Sequence, residues 1–125
     1  MPTSRTLSAS AISFAVLSIG HTLGGIQWTN DPAHALITGT KPWSCGIVGW
    51  YQGSAFFLMT SLIHYQWSRN PRALQDPTNK AIALITNGLL WASSAWYFRT
   101  GIVENGWMVG LSAALQAWAV VQNMV

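Results

Sequence analysis

Charge is the scarcest property of this sequence. Only 7% of its 125 residues are Asp, Glu, Lys or Arg, whereas soluble domains carry about 25%. The six Lys and Arg residues outnumber three acidic residues, but six scattered cations do not form the basic patch with which proteins bind nucleic acid. A soluble domain with a charged surface and a nucleic-acid-binding protein are therefore both disfavoured.

Cysteine is almost absent, and no metal-binding pattern occurs. The single Cys45 cannot form an intramolecular disulfide, and the three histidines lack the neighbouring ligands of a zinc site. We expect no metal and no cofactor, since paired haem histidines and a glycine-rich dinucleotide loop are also missing. By contrast, half of the residues are apolar and eight are Trp. This composition favours a small integral membrane protein.

Four stretches without charged residues account for most of the chain. Each is close to the roughly 20 residues that a helix needs to cross a bilayer, and none alternates like a transmembrane β-strand. We predict an all-α fold in which residues 1–125 form one transmembrane domain, an antiparallel four-helix bundle. The predicted spans cover residues 7–25, 43–67, 81–98 and 107–124.

The connections between these spans predict the orientation of the bundle. Basic residues in short loops stay on the cytoplasmic side, and the N-terminal segment and the second loop carry most of them. Both termini are therefore expected in the cytoplasm. The first loop can hold a short surface helix that begins at Asp31-Pro32. The second loop, residues 68–80, is expected to be an irregular polar turn, and the third is short enough to make spans three and four antiparallel neighbours.

Each predicted span also contains a polar side chain, which in hydrocarbon needs a partner or a function. On a rise of about 1.5 Å per residue, these side chains fall at similar depths in the outer half of the bundle. We expect one interior site in which His21 exchanges a proton and Tyr51 donates a hydrogen bond to a developing alkoxide. The substrate-binding residues predicted for this site are Gln52, Asn87, Trp91 and Gln116.

A second interpretation of the same residues is purely structural. Polar side chains commonly bridge neighbouring helices in membrane bundles, and each such pair contributes only about 0.6 kcal/mol. In this interpretation His21, Gln52, Asn87 and Gln116 hold the helices together and take no part in chemistry.

Three charged residues fall in the loops at the predicted outer mouth of the bundle. Asp31 lies in the first loop, and Arg99 and Glu104 lie in the third. Two carboxylates flanking an arginine could hold and activate a water molecule, so we include all three as candidate catalytic residues. Alternatively, they are solvated surface charges, and Asp31 is no more than a helix cap.

Two short motifs resemble a known group of proteins. Residues Gly20–Gly25, with the sequence GHTLGG, close the first span, and residues Gly49–Gly53, with the sequence GWYQG, lie in the second. Together with the length and the helix number, these motifs resemble small four-span membrane proteins of bacteria and fungi. Some proteins of this form resemble the epoxide hydrolases or cyclases that tailor fungal polyketides of the aurovertin and citreoviridin type. The resemblance implies epoxide opening by water or by an internal hydroxyl, with His21 as the motif residue that carries over.

The sequence is consistent with two functions, one enzymatic and one not. The first is a cofactor-independent membrane enzyme that performs acid/base chemistry on a lipophilic small molecule such as a polyketide, by epoxide opening, cyclisation or isomerisation. The second is a non-enzymatic lipid-binding or membrane assembly subunit. The expected partners are the lipid bilayer and a lipophilic substrate, without nucleic acid, and homo-oligomer formation is left open.

Overall fold

A computed structural model describes residues 3–124, and helices account for nearly all of them. The helices are α1 (Arg5–Thr29), α2 (Pro32–Ala35), α3 (Lys41–Arg69), α4 (Pro77–Arg99) and α5 (Val103–Met124), with a 3₁₀ helix at Pro71–Gln75. No strand occurs within residues 3–124. The predicted all-α class is confirmed, and each predicted span lies within one of the long helices.

Side-chain caps determine where several helices begin. The Asp31 carboxylate accepts a hydrogen bond from the backbone N–H of Ala33 at 2.7 Å, and Thr40 and Asp76 cap α3 and α4 in the same way. Each cap is followed within two residues by proline, whose fixed φ suits the first helical turn. Gly101 has a φ of +80° in the turn before α5, a left-handed conformation that favours glycine.

The connection between α3 and α4 differs from the prediction. The irregular polar turn expected for residues 68–80 is wrong, because Pro71–Gln75 form a 3₁₀ helix. Its Leu74 is fully buried and packs in one cluster with Leu7 and Trp67. An apolar side chain therefore anchors this loop to the bundle, a tertiary contact that the polar composition of the loop concealed.

The closest helix pair is α1 with α3, and the second is α4 with α5. The Ser18 hydroxyl donates to the carbonyl of Ser54 at 2.8 Å, and the Ser61 hydroxyl donates to the carbonyl of Ala11 at 2.8 Å. Between these two contacts the residue number falls along α1 and rises along α3, so the two helices are antiparallel. The contact between α4 and α5 agrees with the predicted short third connection.

The two pairs are joined where α1 contacts α5. The hydroxyls of Ser13 and Ser112 share a hydrogen bond at 2.8 Å, and the Asn123 amide donates to the Thr6 hydroxyl at 3.3 Å. The second contact lies between the first turn of α1 and the last turn of α5. The two described ends of the chain therefore lie at the same end of the bundle, as an even number of long antiparallel helices requires.

Two apolar clusters fill the interior, and each draws on all four long helices. The first lies near the chain termini and includes Leu7, Trp67, Leu74, Ala83, Ala119 and Val120. The second lies farther from the termini and includes Phe14, Leu17, Phe57, Leu90, Val109 and Ala113. Every long helix therefore contributes to both clusters, and the two clusters pack the four long helices together.

One fully buried amide connects α4 to α5. The Asn87 side-chain amide donates to the carbonyl of Ala113 at 2.8 Å and to the Gln116 side-chain oxygen at 2.6 Å. The Gln116 amide in turn donates to the carbonyl of Ala83 at 3.1 Å. These bonds satisfy both side-chain atoms of Gln116, which is fully buried.

Among the described residues, α1 is the one helix whose length and composition suffice to cross a membrane. The core helix of a soluble protein and a signal sequence satisfy the same criterion. However, only 28% of the most apolar part of α1 is buried. The large apolar side chains of α1 that are exposed are Ile12, Val16, Ile19, Leu23 and Ile26.

The bonds of Gln116 predict the effect of its removal. In Gln116→Leu, the Asn87 amide and the carbonyl of Ala83 each lose a buried partner, so we expect the free energy of unfolding to fall by about 1–3 kcal/mol. The matched variant Gln122→Leu, at an exposed position of the same helix, should change it by less than about 0.5 kcal/mol. Chemical unfolding of both variants in one detergent measures the difference. Equal stability of Gln116→Leu and the parent would contradict this role.

Candidate functional site

A cavity of about 430 Å³ lies between the helix ends that are remote from the chain termini. Its volume falls within the range of about 300–1,000 Å³ that small-molecule sites occupy. The wall is mostly apolar, and His21 and Tyr97 are the titratable side chains among the lining residues that the structure describes. The lining residues are Leu17, Gly20, His21, Gly24, Gln27, Trp28, Trp50, Phe57, Tyr97, Ile102, Asn105, Met108 and Val109.

Three side chains of α3 hold the imidazole of His21. The Nδ1 atom lies 3.0 Å from the Ser54 hydroxyl oxygen. One ring face stacks on Trp50, with centroids 4.0 Å apart and planes 13° from parallel, and Phe57 meets the ring edge-on at 5.3 Å. These contacts restrict rotation of the imidazole, so His21 has a defined orientation at the cavity wall.

Trp50 is itself fixed against α1. Its indole N–H donates to the backbone carbonyl of His21 at 2.6 Å. A Cβ atom at Gly25 would lie 2.6 Å from the Cδ1 and Nε1 atoms of Trp50, a distance that side chains do not tolerate. Glycine at position 25 therefore lets the indole lie directly on the α1 backbone.

Gly53 has the same role for the imidazole. A Cβ atom at Gly53 would lie 2.8 Å from the Cε1 atom of His21, whereas a Cβ at Gly49 would meet nothing within 4 Å. Of the two glycines in the GWYQG segment, only Gly53 therefore makes room for a neighbour. The close approach serves the position of the His21 ring.

Aromatic rings continue from the cavity towards the first loop. Trp28 meets Trp50 edge-on at 5.5 Å, and His34 of α2 meets Trp28 edge-on at 4.5 Å. His34 is buried despite its place in a loop helix. The short helix α2 thus closes this end of the α1–α3 pair with an aromatic contact.

Tyr51, Gln52 and Trp91 do not belong to the cavity, and the prediction of one interior site containing them is wrong. All three side chains are exposed, Tyr51 to 42% and Trp91 to 48%. On α3 the inward face is formed by residues 50, 53, 54 and 57, the i, i+3, i+4, i+7 pattern of one helix face. This face turns residues 51 and 52 outward. On α4 the adjacent Leu90 is buried in the core, so Trp91 points away from the core.

Asn87 and Gln116 are interior residues, but neither lines the cavity. Their side chains are occupied by each other and by backbone carbonyls of α4 and α5. The predicted substrate-binding role is therefore not the geometry observed. For these two residues the structure agrees with the helix-bridging interpretation.

The three charged candidates at the mouth also lie outside the cavity lining. Asp31 caps α2, the guanidinium of Arg99 lies 5.8 Å from the ring centroid of Trp96 on its own helix, and Glu104 is exposed in the first turn of α5. The structure does not bring these residues together with His21. Of the nine predicted site residues, His21 alone lines the cavity.

Sequence reasoning missed the other polar and aromatic members of the wall, namely Gln27, Trp28, Trp50, Phe57, Tyr97 and Asn105. Tyr97 lies three residues after the buried Ser94, so the inward face of α4 contained a signal that could have identified it. Trp50 is adjacent to Tyr51, the residue predicted from the sequence. An error of one residue in the inward face of α3 therefore accounts for the wrong prediction. Asn105 lies in the first turn of α5, where spacing gives no indication of its direction.

Comparisons of this chain with protein-family models, with curated proteins and with solved structures found no match. The resemblance to small four-span membrane proteins therefore stays a prediction. The cavity and the orientation of His21 are the observations from which a function can be argued.

The glycines of α3 predict a measurable difference between two similar variants. Gly53→Ala places a methyl group against the His21 ring, so we expect unfolding to become easier by about 1–3 kcal/mol, the usual effect of overpacking. Gly49→Ala enters open space and should be neutral or stabilising by up to about 1 kcal/mol, because alanine favours a helix. Unfolding midpoints in the same detergent test this order. Equal effects of the two substitutions would show that the ring is free to move.

Proposed function

We propose that this protein is a membrane-embedded enzyme that performs acid/base chemistry on a lipophilic small molecule. In this proposal the four long helices lie in the bilayer, and the substrate occupies the cavity beside His21. The observation that carries the proposal is a pocket of ligand size with apolar walls and one histidine in a fixed orientation.

The distribution of polarity supports the membrane location. All four long helices expose large apolar side chains. Soluble proteins rarely expose so large an apolar surface to water. Many polar residues are instead buried between the helices, among them Ser10, Ser61, Thr60, His64, Thr86 and Gln116. The exposed apolar residues include Ile12, Val16, Ile19, Leu23, Leu58, Met59, Leu62, Leu84, Ile85, Leu89, Leu111, Trp118 and Val121. An apolar exterior around a partly polar interior is the arrangement that a lipid solvent favours.

The charged residues support an orientation of the bundle. Four of the six cations lie at the end that holds the chain termini, namely Arg5, Arg69, Arg72 and Lys80. At the opposite end Lys41 and Arg99 are balanced by two acidic residues. Since basic residues favour the cytoplasmic side, we propose that both termini are cytoplasmic and that the cavity lies in the outer half of the membrane.

His21 supports chemistry on an oxygen-containing ligand. Its Nδ1 atom contacts Ser54, whereas its Nε2 atom makes no hydrogen bond with any described residue and is not among the fully buried unpartnered atoms. In this proposal a ligand in the cavity supplies the partner of the second nitrogen. In the proposed epoxide opening, the oxygen of water bonds to a ring carbon as the ring C–O bond breaks. The ring oxygen gains a proton and the attacking water loses one, so the product is a diol.

A lipid-binding subunit is the second candidate. It is favoured by the bonds of Asn87 and Gln116, because these interior polar residues serve packing. Such a protein would use the same cavity and hold a lipophilic molecule without changing it. Turnover that depends on His21 separates the two functions.

The proposed topology predicts which positions label from each side of a membrane. Cys45, the single cysteine, is exposed, so Cys45→Ala supplies a cysteine-free background. Single cysteines at Thr3 and Arg72 should react with an impermeant maleimide from the cytoplasmic side, and one at Glu104 should react from the opposite side. Labelling of all three positions from one side would contradict a bundle that spans the membrane.

Turnover of a lipophilic epoxide tests the proposed reaction. Purified protein in nanodiscs is incubated with methyl 9,10-epoxystearate in ¹⁸O-labelled water, and the labelled diol is measured by mass spectrometry. We expect diol formation to fall by roughly 10²- to 10⁴-fold in His21→Gln, because glutamine forms hydrogen bonds but does not exchange a proton near neutral pH.

The matched control for this experiment is His34→Gln, a histidine that does not line the cavity. It should retain turnover. Equal turnover of His21→Gln and the parent would remove the catalytic role of His21. Retention of the intact epoxide by the parent, without any diol, would favour the lipid-binding function.

A further inference from the structure

The hydroxyl group of Ser54 has a single hydrogen-bond partner within residues 3–124. That partner is the Nδ1 atom of His21, at 3.0 Å. Ser54 is only 8% exposed, so water does not readily replace a missing partner. Because a buried O–H group that lacks an acceptor is costly, we expect the hydrogen of this hydroxyl to be directed at Nδ1.

Several other hydroxyls in the same helix pair donate to backbone carbonyls, although the buried Ser10 hydroxyl has no partner among the described residues. Ser18 donates to the carbonyl of Ser54, Ser61 donates to the carbonyl of Ala11, and Thr60 donates to the carbonyl of Phe56, each at 2.8 Å. Ser54 has no such carbonyl acceptor among the described residues. An Nδ1 atom that accepts this hydrogen bond cannot carry a proton. In a neutral imidazole the proton is then on Nε2.

We propose that Ser54 is a positioning residue that keeps His21 in the Nε2–H form, so that the cavity presents a hydrogen-bond donor to a lipophilic ligand with an acceptor oxygen. A carbonyl, ether or epoxide oxygen meets this requirement. The ligand assignment rests on the proposed function, whereas the tautomer depends only on the contact between Ser54 and His21.

The Nε2–H form also narrows the chemistry of the site. A neutral imidazole that donates from Nε2 polarises an oxygen atom without becoming charged, which is favourable between apolar walls. Removal of a proton from a ligand by Nε2 would require the other tautomer and would leave the Ser54 hydroxyl without an acceptor. The neutral Nε2–H form is therefore suited to binding an electrophilic oxygen compound, and proton transfer in the proposed epoxide opening would use the doubly protonated imidazolium.

Nitrogen NMR of the full chain tests the tautomer directly. The protein is labelled with ¹⁵N-histidine in nanodiscs, and the His21 signals are assigned by their loss in His21→Gln. Above the pH at which His21 is protonated, we expect an unprotonated Nδ1 and a protonated Nε2. A protonated Nδ1 in the parent overturns the proposal, and this result does not depend on the folding of any variant.

Two serine variants separate positioning from packing. Ser54→Ala removes the hydroxyl that contacts His21, so the fraction of His21 in the Nε2–H form should fall. Ser18→Ala removes a neighbouring hydroxyl that bonds to the same residue through its backbone carbonyl, and it should leave the His21 signals unchanged. Loss of the preference in both variants would assign the effect to general loosening of the helix pair.

Binding of a matched pair of probes tests the ligand class. Cyclododecanone carries an acceptor oxygen, and cyclododecane has the same ring without it. We expect the ketone to bind the parent roughly 2- to 10-fold more tightly than the hydrocarbon, the range for one net hydrogen bond, and to shift the Nε2–H signal. Ser54→Ala should lose this preference and Ser18→Ala should keep it. Equal binding of both probes by the parent would overturn the ligand assignment.

These results are distinguishable from the test of the proposed reaction. If the Nε2–H form and the preference for the ketone are observed but methyl 9,10-epoxystearate is not opened, the proposed reaction fails and the donor site stands. If turnover depends on His21 but Nδ1 carries the proton, the reaction stands and the role of Ser54 fails.

Discussion

The close antiparallel contact between α1 and α3 is the constraint on which the rest of this structure depends. Small side chains allow the contact, and serine hydroxyls that donate to carbonyls of the opposite helix hold it in register. The same closeness places the indole of Trp50 on Gly25 and the imidazole of His21 against Gly53. The orientation of the one cavity histidine is thus a consequence of how these two helices pack.

The second helix pair defines the remaining wall. Gln116 and Asn87 tie α4 to α5, and the contact of α5 with α1 brings this pair to the first one. Beyond the hydrogen bond of Ser13 with Ser112, space remains beside Gly20, where the nearest atom to a Cβ would be the methyl group of Met108 at 3.9 Å. Nearer the described chain ends, an apolar cluster that includes Leu7, Trp67 and Leu74 fills the bundle, whereas at the other end the helices leave the cavity.

Interior polar groups of this chain differ in how far their hydrogen bonds are satisfied within the bundle. Hydroxyls and amides such as Ser61 and Gln116 find partners within the bundle, so they stabilise packing without exposing a reactive atom. His21 has a partner at Nδ1, whereas its Nε2 atom has none among residues 3–124. In the proposed function a ligand completes the bonding of His21.

The sequence by itself determined the helical class, the four long helices, the short helix at Asp31-Pro32 and the shared end of the chain termini, because charge, proline and apolar length are local signals. The sequence also indicated that His21 lies at an interior site, and His21 lines the cavity. Only the tertiary structure decided which face of each helix points inward. A rotation of one residue, about 100°, distinguishes Trp50 from Tyr51 and Leu90 from Trp91. The helices of this chain are apolar on most faces, so the sequence shows no polar face opposite an apolar one. The rotation of each helix about its axis is therefore determined by packing against the other helices.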